Sequence, residues 1–178
     1  MDRIRAIWQN PAYRFVFLFA VLLLAEVLLY PWATKRWFFV IRILTRWTAW
    51  LEWKVCDLVG ASVSLDVNLV TLDGFAVRII EECTGIFEVI IFAAAVLAFP
   101  TTGLKKLIGL GLGVPILYAF NVLRILVLLV VGRYQPSIFE FMHLYFWQAT
   151  LILMITSVWL LWIFKVVRHE TETAPSIS

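Results

Sequence analysis

Apolar residues along this chain gather into long runs that are broken by short charged or glycine- and proline-containing stretches. The first run, residues 15–32, follows a leader carrying Arg3, Arg5 and Arg14. At about 1.5 Å of rise per residue it is long enough to cross a hydrocarbon core. Three later runs, at 84–99, 107–131 and 143–164, read the same way. They are separated by Pro100-Thr-Thr-Gly103 with Lys105-Lys106, and by Gly132-Arg133-Tyr-Gln-Pro136. Residues 35–60 break the pattern, because Arg36, Arg42, Arg46, Glu52, Lys54 and Asp57 are spread among Trp, Phe, Ile and Leu. Charges this frequent are costly in a lipid-facing span, so an amphipathic interfacial helix is expected there. Its competing reading is a further span, which would reverse the sidedness argued below. Residues 63–80 alternate β-branched or aliphatic with polar positions (Val63, Leu65, Val67, Leu69) and carry Asp73-Gly74, which predicts a β-hairpin.

The expected architecture is an all-α integral membrane helical bundle. It has about four transmembrane helices, one interfacial helix and a small extracytoplasmic hairpin, in a single membrane-embedded domain over 1–168. The tail, 169–178, is polar and expected to be disordered. A cleaved signal peptide competes for the first run, but that run is longer than a usual signal core and lacks a clear small-x-small cleavage site.

Composition agrees with a membrane protein: 63% of the 178 residues are hydrophobic, and mean hydropathy is +0.93, well above a soluble domain. The net charge of +3 does not point to nucleic acid, because the basic residues flank apolar runs, where inside-positive orientation or lipid phosphate explains them. Nine tryptophans, largely near run ends or within 35–60, form an interfacial belt. Two cysteines, Cys56 and Cys83, make no disulfide framework and match no metal spacing.

The chemistry-bearing residues are few. Glu81-Glu82-Cys83-Thr84-Gly85 puts a thiol and two carboxylates where a polar segment turns apolar. Asn121-Val-Leu-Arg124 lies within the third run and His143 heads the fourth. With a cytoplasmic N-terminus the four spans alternate, leaving Lys105 and Lys106 inside and the hairpin outside. The segment from Thr34 to Glu82 has six basic and six acidic residues, while the inside segments keep a positive surplus. Cys83 stands about 17 residues, roughly 25 Å, above Pro100; Arg124 stands about 18, roughly 27 Å, above Lys106. His143 lies about 22 residues, roughly 33 Å, from Lys165, so all three fall in the outer third of the membrane.

A membrane-boundary cysteine is ordinarily an inert small hydrophobe, and a histidine at a helix start can be simply solvated. An intramembrane arginine is expensive unless it faces protein or water, which makes Arg124 functional or structurally paired. Glu88 is its candidate partner, and Asn121 lies one turn away. Glu81 and Glu82 push the thiol toward its neutral form, and Arg124 with His143 offsets them. A cysteine with a histidine base and an arginine for the thiolate or oxyanion suffices for acyl transfer through a thioester. Cys56 and His169 have no partners in sight and read as structural.

At these residues the sequence resembles the exosortase/archaeosortase family of integral membrane cysteine transpeptidases. The resemblance rests on Cys83-Thr84-Gly85 at a helix start, Asn121-x-x-Arg124 in a later helix and His143 in the next. The flanks Gly74-Phe75-Ala76-Val77 and Phe139-Glu140-Phe141-Met142-His143-Leu144-Tyr145 look most like the short exosortase H subgroup. The resemblance covers Gly74 to Trp162.

It implies that Cys83 is the nucleophile and that Arg124 and His143 complete the catalytic site; Asn121 and Glu82 are expected as supporting residues. The implied substrates are exported proteins ending in a PEP-CTERM-like motif, a hydrophobic helix and a basic tail. The new C-terminus would pass to a lipid or envelope acceptor. No cofactor, metal or nucleic acid is implied. The expected location is the inner (cytoplasmic) membrane, multi-pass, with both termini cytoplasmic and the site toward the extracytoplasmic side.

Three rivals stand beside this reading. A CAAX-type glutamate protease would need arginine where Ile86 stands. A transporter fits poorly with four spans lacking internal symmetry. A non-enzymatic scaffold would use Arg124 and Glu88 as an ion pair and leave Cys83 inert.

Overall fold

The computed structural model describes residues 10–168. Trp8 and the polar tail expected to be disordered at 169–178 lie outside them. The chain is mostly helical, with one small sheet. Helix α1 (Pro11–Arg36) is capped by Asn10, whose side chain accepts from the Ala12 amide, and it has a proline in its first turn. After Trp37 comes α2 (Phe38–Leu58). One face of α2 is buried at Thr45, Thr48, Ala49, Glu52 and Cys56, the three-and-four spacing of a helix laid against a core.

The expected hairpin is a three-stranded antiparallel sheet: β1 (Val63–Asp66), β2 (Leu69–Leu72) and β3 (Phe75–Arg78), in that order. Asp73 and Gly74 turn with φ of 45° and 85°, the paired positive values of a type I′ hairpin. The unforeseen reversal is at Val67, with φ 57°. A β-branched residue is a poor choice there, and neighbouring Asn68 holds the turn by donating to the Ile79 carbonyl at 2.7 Å. Period-two alternation runs through both strands and so concealed the break.

Of the four expected spans, three match helices long and apolar enough to cross a membrane: α1, α4 (Gly103–Tyr134) and α5 (Pro136–Val167). The remaining helix, α3 (Ile86–Ala98), has 13 residues. It starts later than expected because Glu81–Cys83 forms a 3₁₀ turn. It stops where Phe99, extended at ψ 132°, precedes Pro100.

Two boundaries are corrected. Lys105 and Lys106 belong to the first turns of α4 rather than to a loop. The fourth span begins at Pro136 instead of 143, because a proline at the first helical position starts a helix rather than ending one. His143 therefore lies inside α5, within a π-helical turn at Met142–Phe146.

Two apolar clusters hold these elements together. Ala49 from α2, Val70 and Leu72 from β2, Ile79 just after β3, and Ile125 and Leu129 from α4 form one, with Cys83 packed against it. Phe92, Val96, Leu117, Val158 and Trp162 form the other, between α3, α4 and α5. Gly113 and Gly109 leave room for the Phe92 and Trp162 rings, and the Trp162 indole donates to the Lys105 carbonyl at 2.9 Å.

Candidate active site

Cys83 sits in a tight turn whose main chain is fixed from several sides. Its amide donates to the Ile80 carbonyl at 3.0 Å. The Thr84 amide and hydroxyl both reach the Glu81 carbonyl, at 3.0 and 2.6 Å. Gly85 adopts φ 75°, and a Cβ there would stand 3.2 Å from Asn121 Cβ. Glycine is thus required twice, for the left-handed backbone and for the approach of α4. Through that gap Asn121, 1% exposed, donates its amide to the Cys83 carbonyl at 2.7 Å.

One turn further along α4, Arg124 pairs with Glu88 of α3 at 3.7 Å, with the two side chains 12% and 13% exposed. The pair balances charge where lone charges would be expensive. Arg124 Nε and Glu88 Oε2 are buried without a hydrogen-bond partner. The guanidinium therefore keeps donor capacity beyond its partner.

His143 is set by an aromatic stack. Its ring lies on Phe139, centroids 5.7 Å apart and planes at 16°. Phe139 meets Phe75 of β3 edge-on at 5.5 Å. Phe75 in turn fits against α4 at Gly132, where a Cβ would overlap its ring. The π turn is a local widening of the helix, a feature frequent at functional sites.

Cys83, Arg124 and His143 line one cavity of about 140 Å³, walled by Val77, Leu128 and Phe139. Asn121 stands behind it, bound to the Cys83 main chain. Glu82 departs from its expected supporting place. It is exposed and lines a separate groove with Arg42 and Arg46, because the 3₁₀ turn directs successive side chains to different sides. The positioning residues Phe75, Phe139 and Gly132 carried no chemistry of their own in the sequence. Only the flanking motifs could have singled out Phe75 and Phe139, and Gly132 read simply as the end of a run.

Sequence reasoning also missed Glu52. Counted only among the charges of an interfacial helix, it is completely buried, with both carboxylate oxygens lacking a hydrogen-bond partner. Burial pushes its pKa up to about 9. The buried Cys56 thiol, one turn away, is also pushed up, by burial and then by Glu52. The available signal was the spacing Thr45, Thr48, Glu52, Cys56 on one helical face. Among the described residues no group of three His, Cys, Asp or Glu side chains is arranged to hold a metal ion.

No curated protein and no solved structure gives a significant match to the chain. Residues 6–162 match the family described as transmembrane exosortase. That match takes in the cysteine turn, the Asn121/Arg124 helix and the His143 helix, and the chain belongs to the transmembrane exosortase family.

Proposed function

We propose that this chain is a cysteine transpeptidase working on membrane-anchored protein tails, with Cys83 as nucleophile and Arg124 and His143 completing its site. The observation that carries the reading is the meeting of a thiol, a guanidinium and an imidazole at one small cavity, from three separate elements.

In this mechanism His143 accepts the Cys83 proton, and the thiolate attacks the carbonyl carbon of a substrate amide. Arg124 stabilises the oxyanion. The C–N bond breaks as His143 returns the proton to the leaving amine, and a thioester remains. An acceptor nucleophile then loses its proton to His143, attacks the thioester carbonyl and releases the thiolate. Asn121 has a positioning role, holding the main chain that carries the nucleophile.

The substrates in this reading are exported proteins with a PEP-CTERM-like C-terminal sorting signal, and the acceptor is a lipid or envelope component. The enzyme resides in the inner membrane with both termini cytoplasmic and its cavity toward the extracytoplasmic side. The 1–168 stretch works as one membrane-embedded domain. Similar depths for Cys83 and Arg124, about 25 and 27 Å above the Pro100 and Lys106 side, support that arrangement.

The test is co-expression with a tagged protein bearing such a tail, comparing wild type with Cys83→Ala at matched membrane levels. Processing that stops in the variant supports the reading. Processing that persists in a folded variant overturns it. The Arg124–Glu88 ion pair between α4 and α3 favours one second reading, a non-enzymatic membrane scaffold. In that case Cys83→Ser is silent and Arg124→Ala impairs folding.

A further inference from the structure

Beside the cysteine turn, α2, the Val67–Asn68 reversal and residues 79–82 border a groove of about 570 Å³. Arg42 and Arg46, one helical turn apart and both exposed, contribute two guanidiniums from α2. Glu81 and Glu82 contribute two carboxylates from the 3₁₀ turn. Neither arginine has a carboxylate within ion-pair distance among the described residues. Arg42 instead lies over the Phe38 ring at 5.8 Å. The groove thus carries both signs of charge without joining them.

Its setting points to lipid. The membrane-length helix α1 ends at Arg36, so α2 begins where a span gives way to headgroups. Around the arginines Trp37 ahead of α2 and Phe39, Trp47 and Trp50 on it are exposed, aromatic rings suited to that level. Paired guanidiniums match the fork geometry of a phosphate, and a purely anionic headgroup would meet repulsion from the carboxylates. A headgroup with a phosphate and a primary ammonium satisfies both sets.

We propose that the groove formed by Arg42, Arg46, Glu81 and Glu82 binds the headgroup of an aminophospholipid, with phosphate on the arginines and ammonium on the glutamates. Ile80 lines both this groove and the Cys83 cavity, so the bound headgroup neighbours the reactive turn. The binding does not depend on the transpeptidase reading, and Cys83→Ala leaves it intact.

The experiment measures lipid binding to the intact chain in detergent by native mass spectrometry. The probes are phosphatidylethanolamine, phosphatidylglycerol and phosphatidylcholine of equal chain length, with soluble glycerophosphoethanolamine and an acidic peptide as competitors. Phosphatidylethanolamine is expected to bind best. Arg42→Gln/Arg46→Gln weakens it at least about tenfold, and Glu81→Gln/Glu82→Gln removes its advantage over phosphatidylglycerol. Arg42→Lys/Arg46→Lys, which keeps charge but loses the fork, gives an intermediate loss and guards against misfolding of the glutamine variant. Unchanged affinity in both arginine variants overturns the proposal. So does phosphatidylglycerol binding as well as phosphatidylethanolamine in the wild type, or displacement of the lipid by the acidic peptide at equal concentration, whereas competition by excess soluble headgroup supports it.

Discussion

Asn121 and Cys83 are joined by a hydrogen bond of 2.7 Å from the buried side-chain amide on α4 to the main-chain carbonyl of the cysteine turn. The Cys83 side chain, the proposed nucleophile, is left free while the backbone beneath it is tied to a membrane-length apolar helix. Removing the donor leaves the Cys83 carbonyl unpaired at a cost of about 1–3 kcal/mol. Asn121→Ala is expected to lower substrate processing at least about tenfold, while Cys83 stays modifiable by a thiol reagent in the folded protein. Wild-type processing rates in Asn121→Ala would show that the bond does not serve the reaction.

Arg124 and Glu88 are coupled. With both side chains mostly buried, Glu88→Gln leaves an uncompensated guanidinium and destabilises by about 3 kcal/mol. Arg124→Gln/Glu88→Gln, which removes both charges, recovers most of that loss. Melting in detergent of the single and double variants checks the cycle; equal losses that simply add would refute the coupling.

Gly132 controls His143 at a distance. A methyl group there displaces Phe75, then Phe139, then the imidazole stacked on it. Gly132→Ala is expected to lower processing more than it lowers stability, and Gly132→Ala/Phe75→Leu to restore part of the activity by making space. A variant that processes substrate normally would dissociate the aromatic stack from the reaction.

Glu52 makes stability depend on pH. Its folded pKa is raised to about 9 from 4.5, so between these values the native chain keeps a proton that the unfolded chain has released. Stability from this group is complete below the unfolded value, falls as pH rises through the window and levels off above about 9. Glu52→Gln mimics the protonated form and flattens the slope. Thermal unfolding in detergent from pH 5 to 9 tests this, and an identical slope in wild type and Glu52→Gln would rule it out.

Hydropathy alone located the helices, because a run that must satisfy its backbone in lipid has few alternatives to helix. The ends of those runs were less legible. Pro136 starts α5 and Lys105 and Lys106 continue α4, since proline and lysine are tolerated in a first turn as well as in a loop. The second reversal of the sheet was hidden because Val67 is no turn residue by its own preference, and the bond that fixes it comes from Asn68 to Ile79 across the fold.

Of the candidate site, Cys83, Asn121, Arg124 and His143 were legible as polar residues in apolar surroundings. Glu82 was misplaced and Glu52 passed over for a common reason. Which side of a short turn or an amphipathic helix faces protein is decided by tertiary packing.

The brevity of α3 has a consequence for the proposed reaction. Its 13 residues span about 20 Å, against roughly 30 Å for a hydrocarbon core. Its neighbours α4 and α5, with 32 residues each, exceed that thickness. Cys83 lies just ahead of this short helix, so in the proposed function a membrane-held substrate tail meets the thiol at one end of an element that is shorter than the hydrocarbon core.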